Sequence, residues 1–102
     1  MQMTLRVFTH PACGECGPAV EMAWNLSEAQ ENLILETVKL ENKEGLAKAQ
    51  EVGIKTIPTL IFYEGEEELK RVIGLPKAAQ LEKDFLELNN SHQGSKTQRN
   101  ES

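Results

Sequence analysis

Cysteine, histidine and basic charge are all scarce in this chain, and each shortage removes a class of function. Two cysteines and two histidines among 102 residues are meagre material for a structural zinc site, which wants four ligands. Lys and Arg total 11 against 16 Asp and Glu, a formal net charge of −5. Nucleic-acid and anionic-membrane surfaces need clustered cations instead, so neither is expected as a partner. No apolar run approaches the roughly 18 residues of a membrane span. The opening "MQMTLRVFTH" alternates like a strand. It lacks the charged start, apolar block and small-residue cleavage site of a signal peptide. A cytoplasmic, reducing address follows as the expectation, and a permanent structural disulfide is rare there.

What is present suits one small soluble domain. Hydrophobic residues at 39% and charged ones at 26% are ordinary for a globular chain of this length. Met3 to Phe8 predicts a strand that ends at Thr9-His10-Pro11. The stretch "PAVEMAWNLSEAQEN" spaces Ala19, Met22, Ala23, Leu26 and Ala29 along one helical face. "LILETVKLE" predicts a second strand, and "NKEGLAKAQEVGI" a short helix stopped by Gly53. Leu46, Ala47 and Ala49 to Val52 form that helix's expected apolar side. "TLIFYEG" and "EELKRVIG" read as a hairpin turning at Gly65, with Glu64 and Glu66 to Glu68 as a solvated acidic knob. "PKAAQLEKDFLEL" predicts a last helix with Pro76 near its first turn and Ala78, Leu81, Phe85 and Leu88 inward. The order is β-α-β-α-β-β-α, an α/β fold in which the early crossovers are right-handed with parallel pairing and the hairpin adds antiparallel strands. Residues 1–88 form the domain. Residues 89–102 carry no aliphatic or aromatic side chain and are expected to be a flexible tail.

The chemistry gathers at "HPACGECGP", where Cys13 and Cys16 sit between a strand end and a helix start. A thiol attacks only as the thiolate, and a helix N-terminus stabilises an anion. A second thiol three residues on can resolve the mixed disulfide that the first one forms. Two other uses compete with this redox dithiol. A staple across so tiny a loop is worth about 2 kcal/mol, against nearly 5 for a long loop. A metal site can recruit His10 as H-x-x-C-x-x-C, leaving the fourth ligand to another chain, a carboxylate or water.

Downstream, "VGIKTIPTLIFY" sets Pro58 just before the most hydrophobic strand. With C-G-x-C at a helix start, "TIPT" before a central strand and "RVIG" before the last helix, residues 3 to about 88 resemble the thioredoxin superfamily. That resemblance implies a thioredoxin-like fold, a four-stranded mixed sheet with helices on both faces. It implies a thiol–disulfide oxidoreductase that reduces protein disulfides, with Cys13 as the exposed attacking thiol and Cys16 as the buried resolving one. Pro58 is then cis, holding Ile57 beside the dithiol so that its backbone pairs with an extended substrate segment, and Gly74 lines the same groove. No organic cofactor and no metal are implied in the chain. A thioredoxin-reductase-like flavoenzyme is the implied electron donor, and the chain is expected to act as a monomer.

Departures from the family pattern mark the candidates for tuning. The first strand starts at residue 3, without the N-terminal β-α unit of full-length thioredoxins, so size and order also resemble glutaredoxins and minimal thioredoxins. Glutaredoxins usually carry C-P-Y-C and a G-G-x-D-like stretch, whereas "CGEC" and "RVIGLPKAA" offer neither. The family's usual tryptophan is Ala12 here, and its buried acid is Val7. Gly14 and Glu15 stand between the cysteines; a carboxylate about 6–8 Å from a thiolate in water costs it about 0.5–0.7 kcal/mol. His10 either is a solvated loop histidine or, if protonated, helps the thiolate. Lys39 matches a family lysine, or is a solvated strand lysine. Pro18 either distorts the first helical turn or begins the regular helix as its first residue, and a loosened turn would ease exchange at Cys16. Trp24 is expected to pack or to edge the groove. Two alternatives stand beside the reductase: a carrier holding Cu(I) or zinc through its thiolates, and a glutathione-linked glutaredoxin.

Overall fold

The computed structural model describes residues 2–94. Its elements are β1 Met3–Thr9, α1 Cys16–Ala29, β2 Leu33–Lys39, α2 Lys43–Glu51, β3 Thr59–Glu64, β4 Glu67–Ile73 and α3 Ala78–Gly94. The four strands form one mixed sheet in the order β2-β1-β3-β4. Alternation along the strands divides the core. Met3, Leu5 and Val7 join Leu33, Leu60 and Phe62 against α1 and α3, while Phe8, Val38, Ile61 and Tyr63 face α2 across Ala49. Helices therefore cover both faces.

Only β1 and β2 are parallel; β3 runs antiparallel to β1 and to β4. The first crossover keeps the expected parallel pairing and the second departs from it. The 14 residues of α1 span about 21 Å, close to the roughly 23 Å of a seven-residue strand, so the chain returns to the far end of the sheet. The nine residues of α2 span only about 14 Å. Residues 52–58 then carry the chain to the end of the sheet it left, and Thr59 pairs with Phe8 near the close of β1.

The inward side of α2 also differs from expectation. Gly45 and Ala49 are buried, whereas Leu46 is 44% exposed. A Cβ at Gly45 would overlap the backbone carbonyl of Lys39, so glycine lets the helix lie directly on the end of β2. The helix then closes as expected at Gly53, whose φ is 73°. Its N–H donates to the Gln50 carbonyl at 3.2 Å and that of Ile54 to Ala49 at 2.9 Å, the paired bonds of a Schellman motif.

The last helix begins two residues after Pro76 and runs to Gly94, so residues 89–94, assigned to the tail from composition, are helical. Asn32 Nδ2 donates to Asn89 Oδ1 at 2.9 Å, tying this turn to the start of β2, a polar anchor that an apolar count overlooks. The rest of the expected tail, 95–102, lies outside the described residues. Leu81 and Phe85 are buried as expected, but so is Asp84, which accepts from Lys70 Nζ at 2.9 Å and Gln80 Nε2 at 3.0 Å. In the acidic hairpin, Glu68 is paired with Arg71 at 2.9 Å rather than merely solvated.

On the α2 face, Glu36 bridges Arg6 at 2.9 Å and Lys48 at 3.0 Å. Burial pushes its carboxyl up, but the hydrogen bonds and charges of Arg6 and Lys48 outweigh this and hold it below the usual carboxylate range. A depressed carboxylate contributes stability that is complete above its unfolded pKa and is lost as pH falls through the folded one. Because the Glu36 side chain is 35% exposed, screening limits the contribution to about 0.3–1 kcal/mol. Glu36→Gln should therefore lower stability by that amount at neutral pH, with the gap closing as pH falls below about 4. Urea midpoints across pH check this; a constant gap between the two proteins would refute it.

Candidate active site

Strand register brings the predicted residues to one end of the sheet. Thr9 closes β1 opposite Lys39, the last residue of β2. The partner of Phe8 is Thr59, so Pro58 falls just beyond the β1–β3 ladder. Thr59 also pairs with Ile73, which sets Gly74 beside Pro58. The Ile57–Pro58 bond is cis, as the resemblance implied, and Gly74 has φ 87°. The Gly74 N–H donates to the Pro58 carbonyl at 2.8 Å. Pro58 is buried and Ile57 half-buried.

Between β1 and α1, residues 10–15 form tight turns. The Cys13 N–H donates to the His10 carbonyl at 3.0 Å, and the Cys16 N–H to the Cys13 carbonyl at 3.4 Å. Cys13 and Cys16 form a disulfide, with Cα atoms 5.5 Å apart. The two ends differ in access: Cys16 is 5% exposed, in the first turn of α1, whereas Cys13 is half-buried on the loop.

The regular helix begins at Cys16, with Glu15 as its N-cap and without a side-chain cap bond. Pro18 is thus the third helical residue rather than the first. The first four N–H groups of a helix have no internal partner, so the missing donor of Pro18 breaks no bond there. The Ala19 N–H donates to the Glu15 carbonyl at 3.1 Å and starts the ladder. Gly14 and Glu15 are exposed on the turn before it.

A cavity of about 630 Å³ opens beside the disulfide, lined by both cysteines, His10, Val20, Lys39 and Glu41 among others. Lys39 is exposed and forms part of this wall. Ile57, Pro58 and Gly74 are not in that lining; they occupy the adjoining end of the sheet. Val7 is fully buried within the apolar core, so no acid stands where the family carries one. Sequence reading did not single out Thr9, Thr37 and Glu41, which also line the cavity. Their signal was the alternation of positions 37, 39 and 41 beside the end of β1. His10 Nδ1 accepts the Ala12 N–H at 3.1 Å, so the ring serves the turn as a hydrogen-bond acceptor. Trp24 is 54% exposed on the surface of α1.

The family model described as Thioredoxin matches residues 2–87. The chain belongs to the thioredoxin family. It is 40% identical over 68 residues to a thioredoxin from Streptomyces clavuligerus, covering 65% of this chain and 64% of that one. It therefore spans just under two thirds of that relative. Over 80 residues it is 34% identical to a thioredoxin from Synechocystis sp., covering 74% of each chain. Among solved structures, an Arabidopsis thaliana thioredoxin O2 in the oxidised state superposes with TM-score 0.75 at 18% identity, covering 85% of this chain and 75% of that one. A mutant thioredoxin from Halobacterium salinarum gives TM-score 0.74 at 23% identity, covering 85% and 74%. These two likenesses concern the thioredoxin fold itself.

Proposed function

We propose that this thioredoxin-family chain is a thiol–disulfide oxidoreductase that reduces disulfides in protein substrates. The observation that carries the reading is the unequal exposure of the Cys13–Cys16 pair at a helix N-terminus. In the reduced chain, the Cys13 thiolate attacks a substrate disulfide, forming a mixed disulfide and releasing one substrate thiolate. The Cys16 thiolate then attacks Cys13 Sγ, closing the Cys13–Cys16 disulfide and releasing the second substrate thiolate. Two electrons leave the dithiol, and protons from water neutralise the product. A thioredoxin-reductase-like flavoenzyme returns two electrons and two protons.

The substrate segment lies extended against Ile57, Pro58 and Gly74 and pairs with backbone as an added strand. Lys39 and Glu15 set the local field, and Gly14 and Pro18 the shape of the turn. The chain works as a monomer in the cytoplasm. Among the described residues, no helix is long and apolar enough to cross a membrane, and no group of three or more His, Cys, Asp or Glu is arranged to hold a metal ion. The match to the thioredoxin family supports the reductase over the thiolate carrier and the glutathione-linked reading. Turnover of a disulfide-bonded protein by a dithiol donor, with and without the chain, tests the assignment. Acceleration at substoichiometric chain supports it. Tightly bound stoichiometric metal without acceleration refutes it.

A further inference from the structure

One residue receives two N–H groups from the turn that carries Cys13. The Cys13 N–H goes to the His10 carbonyl at 3.0 Å, and the Ala12 N–H goes to His10 Nδ1 at 3.1 Å. The second bond is the i to i+2 side-chain bond that Asn and Asp make in an Asx-turn. Nδ1 of histidine and Oδ1 of asparagine both lie two bonds beyond Cβ, so the imidazole takes the place of the amide oxygen. A ring nitrogen that accepts an N–H carries no proton, which leaves the hydrogen on Nε2. Adding a proton to Nδ1 sets two donors against each other and breaks the bond.

His10 and Cys13 share a cavity wall. The other titratable groups in that wall are Cys16 of α1, Lys39 at the end of β2 and Glu41 just beyond it. Lys39 opposes an imidazolium there and Glu41 favours it, and a Cys13 thiolate would favour it too. With Cys13 held in the disulfide, Nδ1 accepts from the Ala12 backbone.

We propose that His10 is a positioning residue for Cys13: its neutral imidazole closes the turn that presents the thiol, and protonation of the ring opens that turn. The inference rests on the oxidoreductase reading only in taking Cys13 as the reactive thiol. It gives the chain a loss of Cys13 reactivity in acid, within the range where imidazoles titrate, about pH 5–8. This loss adds to the ordinary loss of thiolate.

The test is the alkylation rate of Cys13 by iodoacetamide in the fully reduced chain across that range, with peptide mapping to assign the thiol. Wild type is compared with His10→Ala, which removes the acceptor, and His10→Asn, which keeps an acceptor that does not titrate. Above the imidazole range His10→Ala is expected to slow the reaction about fivefold, the equivalent of one net hydrogen bond. His10→Asn restores the rate to within about twofold. On acidification wild type falls more steeply than His10→Asn, and its Ala12 amide resonance shifts with the same midpoint. Coincident pH profiles for wild type and His10→Asn would overturn the proposal. So would His10→Asn as slow as His10→Ala, since the imidazole would then act through its charge or its proton. A chain that alkylates as expected but does not accelerate substrate reduction sinks the oxidoreductase reading and leaves this one standing.

Discussion

Cys13→Ser abolishes disulfide reduction, and Cys16→Ser turns the chain into a trap that accumulates substrates as mixed disulfides through Cys13. Both effects follow from unequal access. Half-buried Cys13 lies on the loop, where an incoming disulfide can reach it, while Cys16 is 5% exposed in the first turn of α1. Removing the attacking thiol removes the only route into the cycle. Removing the resolving thiol leaves the first exchange intact and blocks release, so the covalent complex persists until an external thiol cleaves it. Turnover should fall by orders of magnitude in either variant, with trapped complexes on non-reducing gels in one alone. Trapping by Cys13→Ser instead would reverse the assignment of roles.

Phe85→Ala is expected to cost about 3–5 kcal/mol, a large share of the roughly 5–15 kcal/mol that holds a domain of this size. Phe85 is fully buried, and its ring centroid lies 6.4 Å from that of Phe62 on β3. It fastens α3 to the sheet face that also receives α1, where neighbouring side chains cannot collapse to fill an aromatic-sized void. At about 4–8 °C per kcal/mol, the melting temperature should drop by well over 10 °C. Leu86, the next residue, is 41% exposed, and Leu86→Ala should change stability by about 0.5 kcal/mol or less. Thermal melts of the two variants decide the point. Similar losses from both would mean that α3 does not sit on the sheet through Phe85.

The local patterns that announced these elements were mostly strong ones. The alternation of β1, the 3.6-residue spacing through Ala19, Ala23 and Leu26, and the glycines at positions 53 and 65 each carry their own conformational reason. Cys13, Cys16 and Pro58 were visible for the same cause, since thiols at i and i+3 and a proline before a strand are unusual in themselves. What the sequence concealed depends on placement in space. The direction of β3 hinges on the end of the sheet to which residues 52–58 return the chain, and the face that α2 turns inward hinges on a glycine meeting the carbonyl of Lys39. Glu41 became part of the site only when the register of β1 and β2 ended both strands together. Asp84 is buried because Lys70 comes across from β4, a pairing that helical periodicity does not encode. At Gly17-Pro18 the structure removes an apparent conflict, because helix numbering starts at Cys16 and the proline falls among N–H positions that have no partner in any helix.

The reduction potential of Cys13–Cys16 tests the central claim most directly. It is read by equilibrating the intact chain with dithiol buffers of graded composition and quantifying the two thiols. Glu15, exposed on the turn two residues on, opposes the Cys13 thiolate and counters the stabilisation that the helix N-terminus gives the reduced form. A reductase therefore requires a value near −270 mV or below, about that of thioredoxin. A value near −120 mV, about that of a strong disulfide oxidant, would contradict the account.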